Sequence, residues 1–149
     1  MNQPASQQLV VFSLGSEQYA LPIANVSEII RATQPRNVAS DNHWIRGVIG
    51  LRGRIIPIFD LAARLDLPGW QPATNGKIVI VDGATGPVGV MVDDVEEVLT
   101  VAAEQFEAVP TATGAIIDAI ARIADRLVMV LDIAEVLGET QPEAELVTT

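Results

Sequence analysis

His43 is the single histidine of the chain, and it follows Ser40 and Asp41 in the run SDNHW. These residue types could supply a nucleophile, a base and an orienting acid. In working triads, however, the three groups converge from separate elements of the fold, whereas here they are crowded into one loop-like stretch. We interpret the stretch as a polar loop that leads into Trp44, and we predict no catalytic residue.

Two further patterns have residue types that can bind metal or phosphate. The acids Asp93, Asp94, Glu96 and Glu97 lack the glycine-punctuated spacing of a calcium loop and the histidine partners of a zinc site. They are more typical of an acidic strand edge that discourages aggregation. The run TGPVG at 85–89 lacks the helix and the lysine of a phosphate loop and predicts a hairpin turn. The sequence therefore predicts no metal, no cofactor and no enzymatic activity.

The composition excludes several classes of partner. The 149 residues carry a net charge of −10, which argues against binding to nucleic acid. Proteins that bind nucleic acid present clustered Lys and Arg to the phosphates. Cysteine is absent, which removes disulfide and thiolate chemistry. No apolar run approaches the roughly 20 residues that a membrane helix requires, so we expect no membrane insertion.

The elements that must carry any binding site are short. Runs of Val and Ile, ended by Gly, Pro, Asn or Asp, predict ten strands between Leu9 and Leu131. Asp60–Leu67 and Asp132–Leu137 predict two short helices, each with an aspartate N-cap. Residues 1–8 and the acidic residues 139–149 lack periodicity and predict flexible tails, leaving one domain over 9–138.

The chain repeats itself. RIIPIFDLAARL begins at Arg54 and matches RLVMVLDIAEVL, which begins at Arg126, while Tyr19–Ile30 resembles Val88–Leu99. Each match keeps a constant offset in numbering, which indicates two copies of a strand–strand–strand–helix unit. The economical architecture is two small barrels that share a core, because closure removes open strand edges. We place the lobes at roughly 9–70 and 76–138, with strands able to exchange between them.

The order of these motifs resembles one known family. YALPIANVSEII, IRGVIGLRG followed by IIPIFDL, and ADRLVMVLDIAEVL are closely similar to CheW, the scaffold of bacterial chemosensory arrays, over about residues 8–138. The resemblance implies a mostly β fold of two five-stranded SH3-like barrels around a shared core, with two short helices. It implies a non-enzymatic adaptor that couples chemoreceptors to the histidine kinase CheA. It also implies a cytoplasmic protein held near the inner membrane through receptor arrays.

The resemblance also places binding residues. The cytoplasmic tip of a chemoreceptor would dock in the groove between the lobes, against Val26, Glu28, Arg52, Val95 and Val98. The regulatory domain of CheA would bind near Ile30, Arg31 and Val38. Each groove residue has a structural alternative: the valines would be core, Arg52 would be a solvated turn residue, and Glu28 would pair with Arg52 within the lobe.

Three positions depart from the family pattern. Gly50 stands where Asn is usual before Leu-Arg-Gly, and Ala119 and Ala121 stand where Gly is common. These departures leave open an alternative function, a CheW-like regulatory module of a non-flagellar kinase system such as one linked to pili.

Overall fold

The computed structural model describes residues 6–38, 43–67, 76–109 and 116–138. All ten predicted runs are strands, and a further short strand, β9, was not predicted. The strands are β1 (Ser6–Leu14), β2 (Glu17–Pro22), β3 (Val26–Arg31), β4 (Ile45–Leu51), β5 (Arg54–Asp60), β6 (Lys77–Gly83), β7 (Gly86–Val92), β8 (Asp94–Ala102), β9 (Phe106–Glu107), β10 (Ile117–Ile123) and β11 (Arg126–Leu131).

Both predicted helices form, each after a capping aspartate. Helix α1 (Leu61–Arg64) follows Asp60, whose carboxylate accepts a hydrogen bond from the Ala63 N–H. Helix α2 (Ile133–Leu137) follows Asp132, which accepts from the N–H groups of Ala134 and Glu135. Satisfying these free amides is what allows such short helices to begin where they do.

The strands form two sheets, and the two copies of the repeat exchange strands between them. The five-stranded sheet has the order β3-β6-β7-β5-β4, and the six-stranded sheet has the order β8-β1-β2-β11-β10-β9. Each sheet thus takes a hairpin from one copy, β6–β7 or β1–β2, and its other strands from the other copy. The sheets therefore do not follow the division at 9–70 and 76–138. We call the resulting units the five-stranded lobe and the six-stranded lobe.

Each sheet is closed by the chain that leaves its terminal strand. In the five-stranded lobe, Arg36 follows β3 and bridges to Val48 on β4, at the opposite end of the sheet. In the six-stranded lobe, the chain after β8 forms β9, where Glu107 pairs with Ile120 of β10. Val48 and Ile120 are counterparts in the two copies of the repeat, so the two lobes close at the same place.

The two copies of the repeat also share a β-bulge. β3 has a bulge at Ser27, between Val26 and Glu28, and β8 has one at Glu96, between Val95 and Glu97. The two bulges fall at matching positions of the repeat. A bulge redirects the side chains beside it, so Val95 does not continue the alternation of the residues after Glu97. β7 ends at Val92 and β8 begins at Asp94, so the bulge at Glu96 is a second irregularity close to the break at Asp93.

The core has three parts, as two barrels with a shared interface require. One cluster fills the six-stranded lobe and includes Leu9, Val128 and Val130, and another fills the five-stranded lobe and includes Ile56, Ile58 and Ile78. The largest cluster, which we call the central cluster, lies between them. It joins residues of both sheets and both helices, among them Phe12, Leu21, Phe59, Leu61, Val79, Val90, Leu131 and Val136.

The predicted N-terminal tail is shorter than residues 1–8. Ser6, Gln7 and Gln8 extend β1 and pair with Ala102, Val101 and Thr100 of β8. Their polar side chains gave no strand signal because they lie exposed, and the backbone alone makes the contact. Residues 68–75, which include the chain between the two predicted lobes, and the tail 139–149 lie outside the described residues. Within the described part of the chain, no helix has the length and apolarity to cross a membrane.

Candidate partner-binding site

Glu28 on β3 and Arg52 in the β4–β5 turn are brought together in the five-stranded lobe. The Arg52 guanidinium donates a hydrogen bond to the Glu28 carboxylate at 2.5 Å. This hydrogen bond is the main cause of a lowered pKa at Glu28; desolvation opposes it, and Coulomb attraction to Arg52 adds to it. The structure thus contains the ion pair between Glu28 and Arg52 that the sequence analysis gave as an alternative. Arg52 keeps two thirds of its side chain exposed, so the pair is open to a partner.

The turn that carries Arg52 explains its position. Arg52 adopts the left-handed conformation, with φ of 52°, at the tip of the β4–β5 hairpin. Ala124, its counterpart in the β10–β11 hairpin, has φ of 56°. Side chains at such positions project away from the strands, because this backbone conformation belongs to the tight turn itself. The repeat therefore preserves the turn and changes only the side chain, from arginine to alanine.

The three valines of the predicted groove have different environments. Val26 and Val95, at matching positions on β3 and β8, are both partly buried against the central cluster. Val98 is 50% exposed on the outward face of β8. The structure therefore gives Val26 and Val95 a share in the core, while Val98 offers free apolar surface.

Ile29 is an exposed residue that the sequence patterns did not single out. It is the counterpart of Val98 in the repeat, and 39% of it is exposed on β3. Extending the comparison of Tyr19–Ile30 with Val88–Leu99 to the exposed positions would have identified it. Each lobe thus presents one aliphatic side chain at the same place.

A second pair of exposed aliphatic residues also follows the repeat. Ile55 on β5 is 76% exposed, and its counterpart on β11, Leu127, is 51% exposed. Arg122 lies opposite Leu127 and pairs with Glu107, whereas Gly50 lies opposite Ile55. Since Gly50 has no side chain, the five-stranded lobe keeps an open cleft of about 370 Å³ beside Gly50 and Ile55.

The three residues suggested for kinase binding are not equivalent. Arg31 is exposed at the end of β3, and Val38 is 45% exposed. Ile30 is partly buried against the interior cluster of the five-stranded lobe, so it has less surface to offer. Arg31 and Val38 lie on the same lobe as Ile55, the most exposed of the large hydrophobic residues in the described chain.

The residues whose types could do chemistry have structural contacts instead. His43 packs edge-on against Trp44, with ring centroids 5.0 Å apart, while Ser40 and Asp41 lie outside the described residues. In the acidic run, Asp93 accepts from the Gly15 N–H, Asp94 from Lys77, and Glu97 from Arg126. Among the described residues, no three His, Asp or Glu side chains are grouped to hold a metal ion.

The two lobes carry opposite charge. The described residues between 26 and 92, which form the five-stranded lobe and α1, include seven basic and four acidic side chains. The described residues of the six-stranded lobe and α2 include two basic and eleven acidic side chains. The two lobes therefore share their strand arrangement but carry net charges of opposite sign. Such a separation of charge orients an approaching charged partner.

Comparison with known proteins agrees with this architecture. A family model described as the CheW-like domain matches residues 8–141. The chain belongs to the CheW-like family. The chemotaxis protein CheW of Klebsiella aerogenes is 29% identical over 143 residues, covering 93% of this chain and 86% of the relative. A probable chemotaxis protein CheW of Rhizobium etli is 30% identical over 148 residues, covering 97% and 95%.

A solved structure is similar over most of its length. The crystal structure of the scaffolding protein TtCheW from Thermoanaerobacter tengcongensis superposes with a TM-score of 0.80 at 30% identity, covering 85% of this chain and 88% of that one. The expected CheW-like fold, mostly β with two lobes, a shared core and two short helices, is confirmed. The sheets have five and six strands rather than five each, because β9 adds to the second.

Proposed function

We propose that this chain is a non-enzymatic adaptor that couples chemoreceptors to the histidine kinase CheA in bacterial chemosensory arrays. The observation that carries the proposal is the match to the CheW-like family over residues 8–141, with relatives named as chemotaxis proteins. In this role the chain works in the cytoplasm and reaches the inner membrane through its receptors. The relatives named as chemotaxis proteins favour this role over the alternative, a regulatory module of a non-flagellar kinase system.

The receptor tip binds, in this proposal, across the surface that includes the Glu28–Arg52 pair and Val98. An amphipathic receptor helix would place apolar side chains on Val98 and on the exposed edges of Val26 and Val95. Burial of such surface contributes about 25 cal/mol per Å² before the costs of association. The charged pair at the margin would set register and partner choice as well as contributing to affinity.

The regulatory domain of CheA binds the five-stranded lobe in this proposal. Arg31 and Val38 give that lobe an exposed cation and an exposed aliphatic side chain, and Ile55 stands beside the open cleft at Gly50. An apolar centre with an arginine nearby is the composition that protein interfaces favour. Ile30 would act mainly by supporting β3 from inside the barrel.

The experiment is a binding measurement with each partner separately. The purified protein should bind a CheA regulatory domain and a receptor-tip fragment with dissociation constants on the order of tens of micromolar or tighter. Arg52→Glu should abolish binding of the receptor tip and leave the melting temperature nearly unchanged, since Arg52 is exposed. Ala124→Glu is the matched control, because it places the same charge at the equivalent turn of the other lobe. Failure to bind either partner would overturn the proposal.

A large drop in melting temperature for Arg52→Glu would instead assign the arginine a structural role. Val38→Glu tests the kinase surface in the same way. It should weaken binding of the CheA domain at least about tenfold and spare the receptor tip. Equal loss of both partners would contradict two separate surfaces.

A further inference from the structure

A cavity of about 240 Å³ in the five-stranded lobe is lined in part by Glu28 and Arg52. Its apolar lining comes from Leu51, Ile56 and Ile80, and charged side chains lie around it. One of them is Arg54, the first residue of β5, which follows Arg52 across the hairpin turn. The cavity is therefore large enough for a partner's side chain and combines an apolar wall with two guanidinium groups.

The charges around this cavity are unequally paired. Glu28 is bound by Arg52, and the nearby Asp82 carboxylate accepts a hydrogen bond from the Ser27 hydroxyl at 3.1 Å. Arg54 forms no ion pair within the part of the chain that the structure describes, although it lines the same cavity as Glu28. One glutamate thus stands near two arginines and binds only one of them.

The other lobe shows how the second arginine can be used. Glu97 occupies the position of Glu28 there, and its partner is Arg126 at 3.0 Å. Arg126 is the counterpart of Arg54, not of Arg52, whose place is taken by Ala124. Because the two lobes share one strand arrangement, we infer that Glu28 can be bound either by Arg52 or by Arg54. In the five-stranded lobe both arginines are present.

We propose that the cavity binds a carboxylate side chain of the docked partner through Arg52, while Arg54 takes over Glu28. Arg54 is then a positioning residue, which keeps Glu28 from competing with the incoming acid. Exchange between the two arginines costs little, since exposed ion pairs contribute little net free energy. The methylene groups of an incoming Asp or Glu would lie on the apolar wall of the cavity. The inference rests on the proposed function, in which the receptor tip docks over Arg52.

The exchange can be tested without a partner, by titrating Glu28 in full-length protein with NMR. Arg52→Ala reproduces the alanine of the other lobe, and we expect Arg54 to bind Glu28 and keep the Glu28 pKa below its ordinary value. Arg54→Ala should leave the Arg52 pair intact and the Glu28 pKa lowered. Only Arg52→Ala/Arg54→Ala should bring the Glu28 pKa back to its ordinary value. An ordinary pKa in Arg52→Ala alone would overturn the exchange.

The ligand is tested with a receptor-tip fragment whose acidic residues are replaced one at a time by their amides. One replacement should weaken binding to the wild type about tenfold and have little further effect on Arg52→Gln. Arg54→Ala should weaken binding of the original fragment about threefold or more. Additive effects at every acidic position would overturn the carboxylate ligand. If the wild type does not bind the tip, the proposed function and the ligand both fail, and the titration still decides the exchange.

Discussion

The Arg64 guanidinium donates hydrogen bonds to the carbonyl oxygens of Val136 and Glu135, each at 2.8 Å. Val136 is the counterpart of Arg64 in the second copy of the repeat. Where two copies are related by a two-fold axis, a residue that contacts its own counterpart lies near that axis. The Arg64–Val136 contact has this form, and it joins α1 to α2 at counterpart positions of the repeat.

Arg64 is expected to stabilise the joint between the lobes. It binds two carbonyl groups in α2 and stacks over Trp44, with its guanidinium carbon 4.7 Å from the ring centroid. A hydrogen bond from a charged donor contributes about 1.5–3 kcal/mol, so losing both should lower the unfolding free energy of Arg64→Ala by about 3 kcal/mol or more. Urea unfolding measures this. Arg64→Lys keeps the charge but not the two-pronged geometry, and it should recover only part of the loss.

Two glycines of β4 should respond in opposite ways to alanine. A Cβ at Gly47 would lie 2.0 Å from the carbonyl oxygen of Arg36, and its φ of 145° is unfavourable for other residues. Gly47→Ala should therefore destabilise the fold by about 1–3 kcal/mol. A Cβ at Gly50 meets no atom within 4 Å, and Gly50→Ala should be neutral or stabilising by about 0.4–1 kcal/mol. Equal unfolding midpoints for the two variants would contradict this.

The Glu107–Arg122 pair should make stability depend on pH in the acidic range. The hydrogen bond from Arg122 is the main cause of a lowered pKa at Glu107, with desolvation opposing it and Coulomb attraction adding to it. A carboxyl whose pKa is lower in the folded state stabilises that state above its unfolded value of 4.5, and the contribution is lost as the pH falls through the folded pKa. The difference in unfolding free energy between wild type and Glu107→Gln should shrink between neutral pH and about pH 3.

Glu96→Gln is the control for that titration. Glu96 lies on the same lobe, exposed at the β8 bulge, and forms no ion pair with any residue that the structure describes. Because Glu96 makes no ion pair with a described residue, its substitution should change stability little at neutral pH. A pH dependence equal to that of Glu107→Gln would indicate a general charge effect instead of the specific pair.

Val98 and Val101 should separate binding from stability. Both lie on β8, yet Val98 is 50% exposed and Val101 is 1% exposed. Val101→Ser should cost about 2–4 kcal/mol, because it removes core contacts and buries a hydroxyl. Val98→Ser should change stability by less than about 0.5 kcal/mol and should weaken binding of a receptor tip. Unchanged binding in Val98→Ser would remove this residue from the proposed site.

Local patterns predicted the strands well and their partners poorly. The Val and Ile runs and the capping aspartates Asp60 and Asp132 depend on neighbours in sequence, so they can be read from it. Pairing of β1 with β8 joins residues from opposite halves of the chain, and no local signal states it. β9 escaped prediction because so short a strand forms no pattern, and residues 6–8 because their backbone makes the contact.

The candidate site was predictable where the repeat carries it. Glu28 and Arg52 were foreseen as a possible internal pair, and the structure contains that pair. How far Val26 and Val95 are buried could not be read from alternation, because a bulge in each strand redirects them. The role proposed for Arg54 could be inferred only by comparing the two lobes. Its counterpart Arg126 binds Glu97, which is the counterpart of Glu28.

The exchange of hairpins between the two sheets has a consequence for biosynthesis. A nascent chain that has reached only α1 contains β1 and β2 but neither β8 nor β11, the strands on either side of them. An isolated hairpin is at best marginally stable in water, and ribosomes add about 5–20 residues per second. The N-terminal strands must therefore wait several seconds for their neighbours, and we expect cooperative folding only when β11 has left the ribosomal tunnel.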